Sequence, residues 1–416
     1  MGQKYIDYSW DFKKDNTKEF THCFHSYPAM MIPQVARRLI DKYGKKSRCL
    51  FDPYCGTGTS LVEANLKNIN AIGTDLNPLA RLIAKTKTNP INTQILDLYL
   101  KDFNDSIFSY RFGISQSSSI VLPKFPNIDY WFSKDVQLQL AIIKRYIEKI
   151  NDDASRNFFT IAFSETVRES SWTKNSEFKL VRMSPGQLEK FQPDVFGIME
   201  FKLSRNKSGL LSYQNVKKNR AKTNVYDFNT VEGVPPNILT KDSVDLVVTS
   251  PPYGDSRTTV AYGQFSRLAN QWMGYTEASQ VDKILMGGIR NGKSKKFCSK
   301  ALNETIEKIQ NEDENRSKDV LSFFIDYEKS IENISATVKS GGYVCYVVGN
   351  RSVKGVTIPT DEITKDLFVE NGFDHIETIV RNIPNKRMPL ENSPSNVIGK
   401  KSSTMKHEFI VVCQKN

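Results

Sequence analysis

Several features that define common protein classes are missing from this chain of 416 residues. No apolar run is long enough to span a membrane, and the first fifteen residues contain no apolar signal-peptide region. The six cysteines, at positions 23, 49, 55, 298, 345 and 413, form no CxxC pair, and the four histidines form no HExxH. These absences argue against a membrane protein, a disulfide framework and a zinc site. We therefore expect a cytoplasmic protein without a bound metal.

Two sequence motifs for nucleotide phosphates are also absent. Residues 52–59 form a glycine-containing turn after an apolar segment, which is where such motifs usually occur. No lysine follows Gly58, so the GxxxxGK[ST] pattern fails, and position 61 is leucine, so GxGxxG is incomplete. A nucleotide pyrophosphate is therefore not the ligand that we expect at this turn.

The chain has an ordinary globular composition and a positive charge that is concentrated in places. It is 39% hydrophobic and 25% charged, with a net charge of +12. Residues 201–222 carry seven basic side chains and no acid, residues 283–300 carry six and no acid, and residues 381–407 carry six against one acid. Such patches favour a polyanionic partner, and solvated loops are the alternative for any one segment.

Strand and helix patterns alternate in the first ninety residues, and this alternation predicts the fold. A βαβ rhythm favours an α/β fold with a doubly wound, mostly parallel sheet. Residues 91–221 have mainly helical periodicity and interrupt that rhythm as an insertion. The strands are predicted at 49–51, 70–74, 225–228, 244–249, 343–348, 376–380 and 408–413, and the main helices at 33–42, 60–66, 79–85, 318–338 and 361–371.

The first candidate site is the turn that follows the strand ending at Asp52. Gly56 and Gly58 let the backbone bend tightly and approach a ligand, and the following helix offers free N–H groups. A carboxylate at the strand end suits a cationic ligand, and Asp75, at the end of the next strand, is placed to accept ribose hydroxyls. A ribose, an adenine and a cationic amino-acid tail together describe S-adenosylmethionine. An ordinary turn is the alternative for the glycine pattern alone.

The second candidate site is Ser250-Pro251-Pro252-Tyr253, which follows a buried strand. Two prolines fix φ and remove two N–H groups, so the turn is rigid and presents acceptors. Those acceptors suit an exocyclic amino group, and Tyr253 can stack on a planar ring. A simple Pro-Pro loop is the alternative for this motif taken alone.

These motifs resemble those of the DNA amino-methyltransferases of bacterial restriction–modification systems. Residues 51–59 (FDPYCGTGT) resemble the cofactor motif of that family, and residues 249–253 (TSPPY) resemble its catalytic motif. In that family, serine at the first tetrad position goes mostly with cytosine-N4 methylation, and Asp or Asn with adenine-N6. Residues 25–29 (HSYPA) resemble the segment that touches the methionine end of the cofactor. The resemblance covers residues 20–90, 222–256 and 316–416.

The resemblance implies a discontinuous, Rossmann-like catalytic domain and a set of site residues. The domain comprises residues 1–90, 222–256 and 316–416. The mainly helical insertion 91–221 is a candidate DNA-recognition region, and the Gly/Lys-rich insertion 257–315 is a candidate DNA contact. The catalytic residues are Ser250, Pro251, Pro252 and Tyr253. The residues expected to bind S-adenosylmethionine are Tyr27, Pro28, Asp52, Cys55, Gly56, Gly58, Thr59, Asp75, Asn77 and Asp227.

The basic segments are expected to contact double-stranded DNA, because lysine and arginine bind phosphates and guanidinium groups also bind base edges. The segment 164–182 is expected either to border the DNA cleft or to be a packed helix end. The residues predicted to bind DNA are Lys217, Lys218, Arg220, Arg290, Lys293, Lys295, Lys296, Arg381, Lys386 and Arg387.

The expected function is methylation of a flipped cytosine at N4 in duplex DNA by a monomer. It would protect DNA from a cognate restriction endonuclease that acts on the same site and need not touch this chain. The alternatives are an adenine-N6 DNA methyltransferase and a methyltransferase for amino groups of RNA bases. A non-catalytic DNA-binding relative is a further alternative, which the presence of Asp52, Asp75 and Ser250 disfavours.

Overall fold

The structure is a computed structural model that describes residues 2–113, 120–217, 221–255, 259–276, 278–290, 295–383, 391–392, 402–403 and 405–416. Its strands are β1 (Gln3–Ile6), β2 (Cys49–Asp52), β3 (Asn70–Thr74), β4 (Thr223–Tyr226), β5 (Val244–Thr249), β6 (Val338–Val348), β7 (Ser352–Val353), β8 (Val356–Thr357), β9 (Phe373–Asn382), β10 (Glu391–Asn392), β11 (Ser402–Ser403) and β12 (His407–Lys415). Its longer helices are α1 (Pro33–Tyr43), α2 (Thr59–Leu66), α3 (Pro78–Thr88), α4 (Thr93–Arg111), α6 (Lys134–Glu148), α7 (Asp153–Ser170), α9 (Val195–Val216), α10 (Tyr262–Trp272), α12 (Lys300–Glu312), α13 (Glu314–Ser335) and α14 (Thr360–Glu370). Three single-turn helices are α5 (Ile128–Trp131), α8 (Pro185–Leu188) and α11 (Val281–Ile284), and two 3₁₀ helices span Tyr8–Trp10 and Phe20–Phe24.

Eight of these strands form one sheet in the order β1-β9-β12-β6-β5-β2-β3-β4. The strands pair in parallel except at β12, which is antiparallel to β6 and β9. The predicted α/β fold with a doubly wound, mostly parallel sheet is confirmed. The first residues of β12 consequently lie at the sheet edge where the parallel strands end.

Successive side chains of a strand point to opposite faces of the sheet, so each strand contributes to the cores on both faces. On one face, Leu50 packs in a core with Leu39 of α1 and Leu61 of α2. On the other face, Phe51 packs in a core with Tyr327 of α13. Both faces of the central strands are therefore covered by helices, which is why these strands are almost continuously apolar.

The chain between residues 91 and 221 is mainly helical and builds a third core. Helices α4, α6, α7 and α9 contribute Phe103, Leu140, Phe159 and Met199 to it. Helix α10, which lies in the segment that we predicted as a Gly/Lys-rich insertion, packs Trp272 into the same core. The α10 part of the second insertion therefore shares a core with the first insertion, whereas Phe297 and Leu302 lie in the core that contains Phe51.

Within the described part of the chain, no helix is both long and apolar enough to cross a membrane. The strand boundaries differ from prediction mainly at β6, which begins at Val338 rather than at residue 343, and at β4, which ends at Tyr226 rather than at residue 228. Strand β1, which pairs in parallel with β9, was missing from the prediction.

Candidate active site

The two predicted motifs meet at the ends of neighbouring strands. Strands β2 and β5 are parallel, with Phe51 opposite Val247, so both turns leave the same edge of the sheet. The Thr249 hydroxyl donates a hydrogen bond to Asp52 Oδ1 at 2.5 Å. The turn at residues 52–59 and the turn at residues 250–253 are thus joined directly at their bases.

Asp52 is almost fully buried, and its carboxylate accepts three hydrogen bonds. Besides Thr249, the donors are the Ser60 hydroxyl and the backbone N–H of Tyr54. Burial raises the pKa of Asp52 to about 6, and the hydrogen bonds oppose this rise by stabilising the charged form. The carboxylate is therefore a fixed structural element at the bottom of the site.

The glycine turn adopts a backbone that requires glycine. Gly58 caps α2 in the left-handed region, with φ of +79°, and a Cβ there would lie 3.0 Å from Ala84 Cβ. Gly56 also has a positive φ of +48°, and its N–H donates to Asp75 Oδ2 at 3.1 Å. Because Gly56 and Gly58 carry no side chain, the turn can lie close to α3 and leaves room for a ligand.

Asp75 follows β3 and is oriented by backbone donors on both oxygens. Its Oδ1 accepts from the N–H of Asn77 at 2.7 Å, and its Oδ2 accepts from Gly56. Burial raises the pKa of Asp75, and the two hydrogen bonds and the nearby Arg81 guanidinium oppose this rise only in part. Asn77 caps α3, because its side chain accepts from the N–H of Leu79.

Two tyrosines form an aromatic wall of the site. Tyr27 and Tyr262 are stacked, with ring centroids 5.9 Å apart and an interplanar angle of 14°. The Asn77 side-chain amide donates to the Tyr27 hydroxyl at 2.8 Å and to the Ser266 hydroxyl at 2.9 Å. The amide therefore ties the HSYPA segment to α3 and α10.

The Ser-Pro-Pro-Tyr turn is anchored to the neighbouring strands. The Ser250 hydroxyl donates to the carbonyl of Val347 in β6 at 3.1 Å, and it lies 3.3 Å from the Tyr253 hydroxyl. The Tyr253 hydroxyl also donates to Glu408 Oε1 at 3.2 Å. Because its proton is directed at Val347, the Ser250 oxygen keeps its lone pairs for another donor.

One cavity brings most of the predicted site residues together. Among the predicted residues, Tyr27, Pro28, Asp52, Cys55, Gly56, Thr59, Asp75, Asn77, Ser250 and Pro252 line it. Gly58, Pro251, Tyr253 and Asp227 are not part of this lining. Asp227 is instead 78% exposed in its side chain and lies 3.9 Å from Arg81. Residues that the sequence analysis missed are Met30, Met31, Tyr54, Phe228, Thr230, Val231, Tyr262, Leu285 and Met286.

Two groups of the missed residues differ in whether the sequence could have revealed them. Phe228 and Val231 follow β4, so the rule that ligands bind at the carboxyl ends of parallel strands would have found them. Leu285 and Met286 lie in the basic segment 283–300, and their position at the cavity carries no signal in the sequence. This segment therefore borders the cavity.

The residues predicted to bind DNA have mixed environments. Arg290 pairs with Asp319 at 2.6 Å, Lys295 pairs with Glu328, and Lys217 donates to the carbonyl of Thr88 at 3.3 Å. Lys296 is exposed. Lys218, Arg220, Lys293, Lys386 and Arg387 lie outside the described residues.

Arg381, predicted to reach a base edge, is buried, with 4% of its surface exposed. It donates to the carbonyl of Trp10 at 2.9 Å and pairs with Glu408. This environment corrects the expectation of a DNA contact, because the guanidinium faces the protein interior.

Three of the seven basic residues in the run at 201–222 pair with acids from other helices. Lys202 pairs with Glu169 at 2.5 Å, Arg205 pairs with Glu165 at 2.7 Å, and Lys207 pairs with Asp97 at 2.6 Å. The first three basic residues of this run are therefore neutralised by acids that are distant in sequence.

Residues 164–170 lie in α7 and are mostly buried, which favours the packed helix end over the cleft border. Across the residues that the structure describes, no group of three or more His, Cys, Asp or Glu side chains is arranged to hold a metal ion.

Comparison with known proteins places the chain among enzymes that methylate nucleic acids. A family model described as DNA methylase matches residues 2–86. The type II methyltransferase M.MvaI from Kocuria varians is 40% identical over 423 aligned positions, which cover 96% of this chain and 92% of that protein. The type II methyltransferase M.MjaII from Methanocaldococcus jannaschii is 33% identical over 90 residues, or 22% of this chain and 17% of that protein.

Solved structures give a more distant likeness. The rRNA methyltransferase aviRa from Streptomyces viridochromogenes aligns over 92% of this chain and 88% of its own, with 11% identity and a TM-score of 0.31. TrmN from Thermus thermophilus aligns over 93% of this chain and 49% of its own, with 10% identity and a TM-score of 0.29. At these scores the likeness carries no argument about function.

Proposed function

The chain belongs to the type II DNA methyltransferases, and we propose that it transfers a methyl group from S-adenosylmethionine to the exocyclic N4 of a cytosine in duplex DNA. One observation carries this proposal: Ser250 lines the same cavity as Asp52, Gly56 and Asp75. A donor held at the ends of β2 and β3 and an amine held by the Ser-Pro-Pro-Tyr turn would therefore meet in one space.

The residues around the cavity suit S-adenosylmethionine. Both oxygens of Asp75 are oriented by backbone N–H groups, so the carboxylate is fixed where it can accept from ribose hydroxyls. Asp52 supplies an acidic group, and the faces of Tyr27 and Tyr262 attract positive charge. When bound, S-adenosylmethionine supplies an electrophilic methyl group on a sulfonium.

The turn at Ser250 is built to receive an amino group. Its hydroxyl donates to the Val347 carbonyl, so its oxygen can accept from the amine. Pro251 and Pro252 lack N–H groups, so no backbone donor competes for that position. The turn would orient the nitrogen lone pair toward the methyl group, and positioning supplies most of the rate. Burial raises the pKa of the Cys55 thiol well above its usual range, which disfavours a cysteine nucleophile.

Access of a base to this cavity requires extrusion from the duplex, which costs a few kcal/mol. The Tyr253 ring would stack on the extruded base, and phosphate contacts from exposed lysines would offset the remaining cost. Because Leu285 and Met286 border the cavity, we propose that the segment 283–300 lies against the DNA near the target nucleotide.

The choice of cytosine-N4 rests on Ser250 in the first tetrad position, by resemblance to enzymes with that specificity. We further propose that the methylation protects the cell's DNA from an endonuclease of the same specificity. Adenine-N6 is the second candidate, since the matching DNA methylase family covers both amino groups.

The test is transfer of labelled methyl from S-adenosylmethionine to duplex DNA, followed by enzymatic digestion and identification of the modified nucleoside by mass spectrometry. We expect N4-methylcytosine, and we expect it to form at least tenfold more slowly with the Ser250→Ala variant. N6-methyladenine would overturn the choice of base while retaining the enzyme class. Label that enters only RNA would overturn DNA as the substrate.

A further inference from the structure

Glu408 lies beside the catalytic tyrosine although it is distant in sequence. The Tyr253 hydroxyl donates to Glu408 Oε1 at 3.2 Å. Glu408 is the second residue of β12, and that strand is antiparallel to β6 and β9. The reversed direction of β12 brings its start to the edge where β5 ends, which puts a carboxylate within reach of the Ser-Pro-Pro-Tyr turn.

Arg381 fixes the other oxygen of this carboxylate. It lies directly opposite Glu408 in the β9–β12 register, and it donates to Glu408 Oε2. Its remaining donors point to the carbonyl oxygens of Trp10, at 2.9 Å, and Asp11, at 3.4 Å. Each Glu408 oxygen therefore has its own donor. Arg381 holds the carboxylate in one orientation, and the backbone of the N-terminal segment in turn holds Arg381.

The ring of Tyr253 is confined by packing as well. A Cβ placed on Gly349 would lie 2.7 Å from Tyr253 Cδ2, so the glycine allows the ring to sit against the end of β6. The ring and the hydroxyl thus have different neighbours, namely Gly349 and the Glu408 carboxylate.

We propose that Glu408 is a positioning residue for methyl transfer, which fixes the Tyr253 hydroxyl while Arg381 fixes Glu408. This inference rests on the proposed function, because positioning matters only if Tyr253 receives an extruded base. A tyrosine held at both ring and hydroxyl loses less conformational freedom on binding the base, and it keeps its distance to Ser250.

A Glu408→Gln substitution removes the negative charge of this side chain with little change in its shape. Arg381 needs an acceptor, so the amide oxygen will turn to Arg381 and the amide NH₂ will face Tyr253. The hydrogen bond to the tyrosine must then reverse its direction. A Glu408→Asp substitution retains the charge beside Arg381 and withdraws the carboxylate from the tyrosine, so it serves if the glutamine variant folds poorly.

The experiment measures the single-turnover rate of methyl transfer to duplex DNA at saturating S-adenosylmethionine, together with the dissociation constant of S-adenosylmethionine. For Glu408→Gln and Glu408→Asp we expect rates roughly tenfold lower, with cofactor affinity unchanged. In a Tyr253→Phe background, which lacks the hydroxyl, we expect that Glu408→Gln causes no further loss.

The chain contains a matched control. Glu377, on β9, accepts from the Tyr5 hydroxyl at 3.0 Å, from Lys42 at 2.5 Å and from Tyr43. Glu377, like Glu408, is a carboxylate between a tyrosine and a basic residue. It lies on the same strand as Arg381, but in the opposite half of that strand. Glu377→Gln should leave the rate of methyl transfer unchanged.

The outcomes separate the two proposals. A wild-type protein that methylates DNA while both Glu408 variants match its rate would overturn the positioning role and leave the function intact. A further tenfold loss from Glu408→Gln in the Tyr253→Phe background would also overturn it, because Glu408 would then act through another group. A wild-type protein that transfers no methyl to any nucleic acid would remove both proposals.

Discussion

Thr249 and Asp52 are joined by a hydrogen bond of 2.5 Å across the base of the site. Thr249 immediately precedes the Ser-Pro-Pro-Tyr turn, and Asp52 immediately precedes the glycine turn. The bond therefore fixes the position of the Ser-Pro-Pro-Tyr turn relative to the glycine turn.

We expect Thr249→Val to destabilise the fold by about 1–3 kcal/mol, because it removes one of the three hydrogen bonds to the buried Asp52 carboxylate. It should also lower the rate of methyl transfer, since the two turns lose a direct connection. Urea unfolding and single-turnover kinetics measure the two effects. Thr249→Ser retains the hydroxyl and is the matched control; equal losses in both variants would contradict a specific role of the hydroxyl.

Ser250 and Asp75 should affect different steps. Ser250→Ala should reduce turnover at least tenfold and spare the affinity for S-adenosylmethionine, because the hydroxyl faces the amine. Asp75→Ala should weaken S-adenosylmethionine about tenfold or more, because hydrogen bonds to a charged carboxylate are lost. Isothermal titration calorimetry and steady-state kinetics distinguish these outcomes. The same loss of cofactor affinity in both variants would contradict the division of roles.

Lys87 predicts a specific dependence of stability on pH. It is buried, its amine lies 3.3 Å from the Thr57 hydroxyl, and burial lowers its pKa from 10.5 to about 7. Between those two values the unfolded chain binds the proton and the folded chain does not, so this group's contribution to stability rises with pH. Below pH 7 the fold must bury a charged amine.

Lys87→Met should therefore be more stable relative to wild type at pH 6 than at pH 9. Urea unfolding of both proteins at the two pH values gives this difference, and other titrating groups cancel in the comparison. A difference that stays constant with pH would show that Lys87 keeps an ordinary pKa.

Lys296 and Lys295 are neighbours with different environments, and they make a matched pair for DNA binding. Lys296 is exposed, whereas Lys295 pairs with Glu328. If Lys296 contacts a phosphate, Lys296→Gln should weaken duplex binding and reduce the slope of log affinity against log salt by about one. Lys295→Gln should change the slope less. Fluorescence anisotropy at several salt concentrations measures both; a flat salt response in the wild type would argue against a duplex partner.

The sheet and the site were largely predictable because their signals are local in sequence. Each central strand is an apolar run, and the motifs at Asp52 and Ser250 directly follow two of them. Parallel pairing then brings the turns to one edge, so contiguous motifs become neighbours in space.

Charge partners and edge strands were not predictable in this way. A count of basic residues in the segment 201–222 does not reveal that Glu165 and Glu169 of α7 neutralise two of them. Arg381 looked like a surface group because its partner, Glu408, is 27 residues away. Strand β1 is short, largely exposed and half polar, so it lacks the apolar run that marks the central strands.

The place of β12 between β6 and β9 has a consequence for biosynthesis. Glu408 and the strand that carries it leave the ribosome after every other strand of the main sheet. A nascent chain can build the glycine turn early, but the gap between β6 and β9 closes only once residues 407–415 have emerged. The enzyme should therefore be inactive throughout translation and become active in one late folding step.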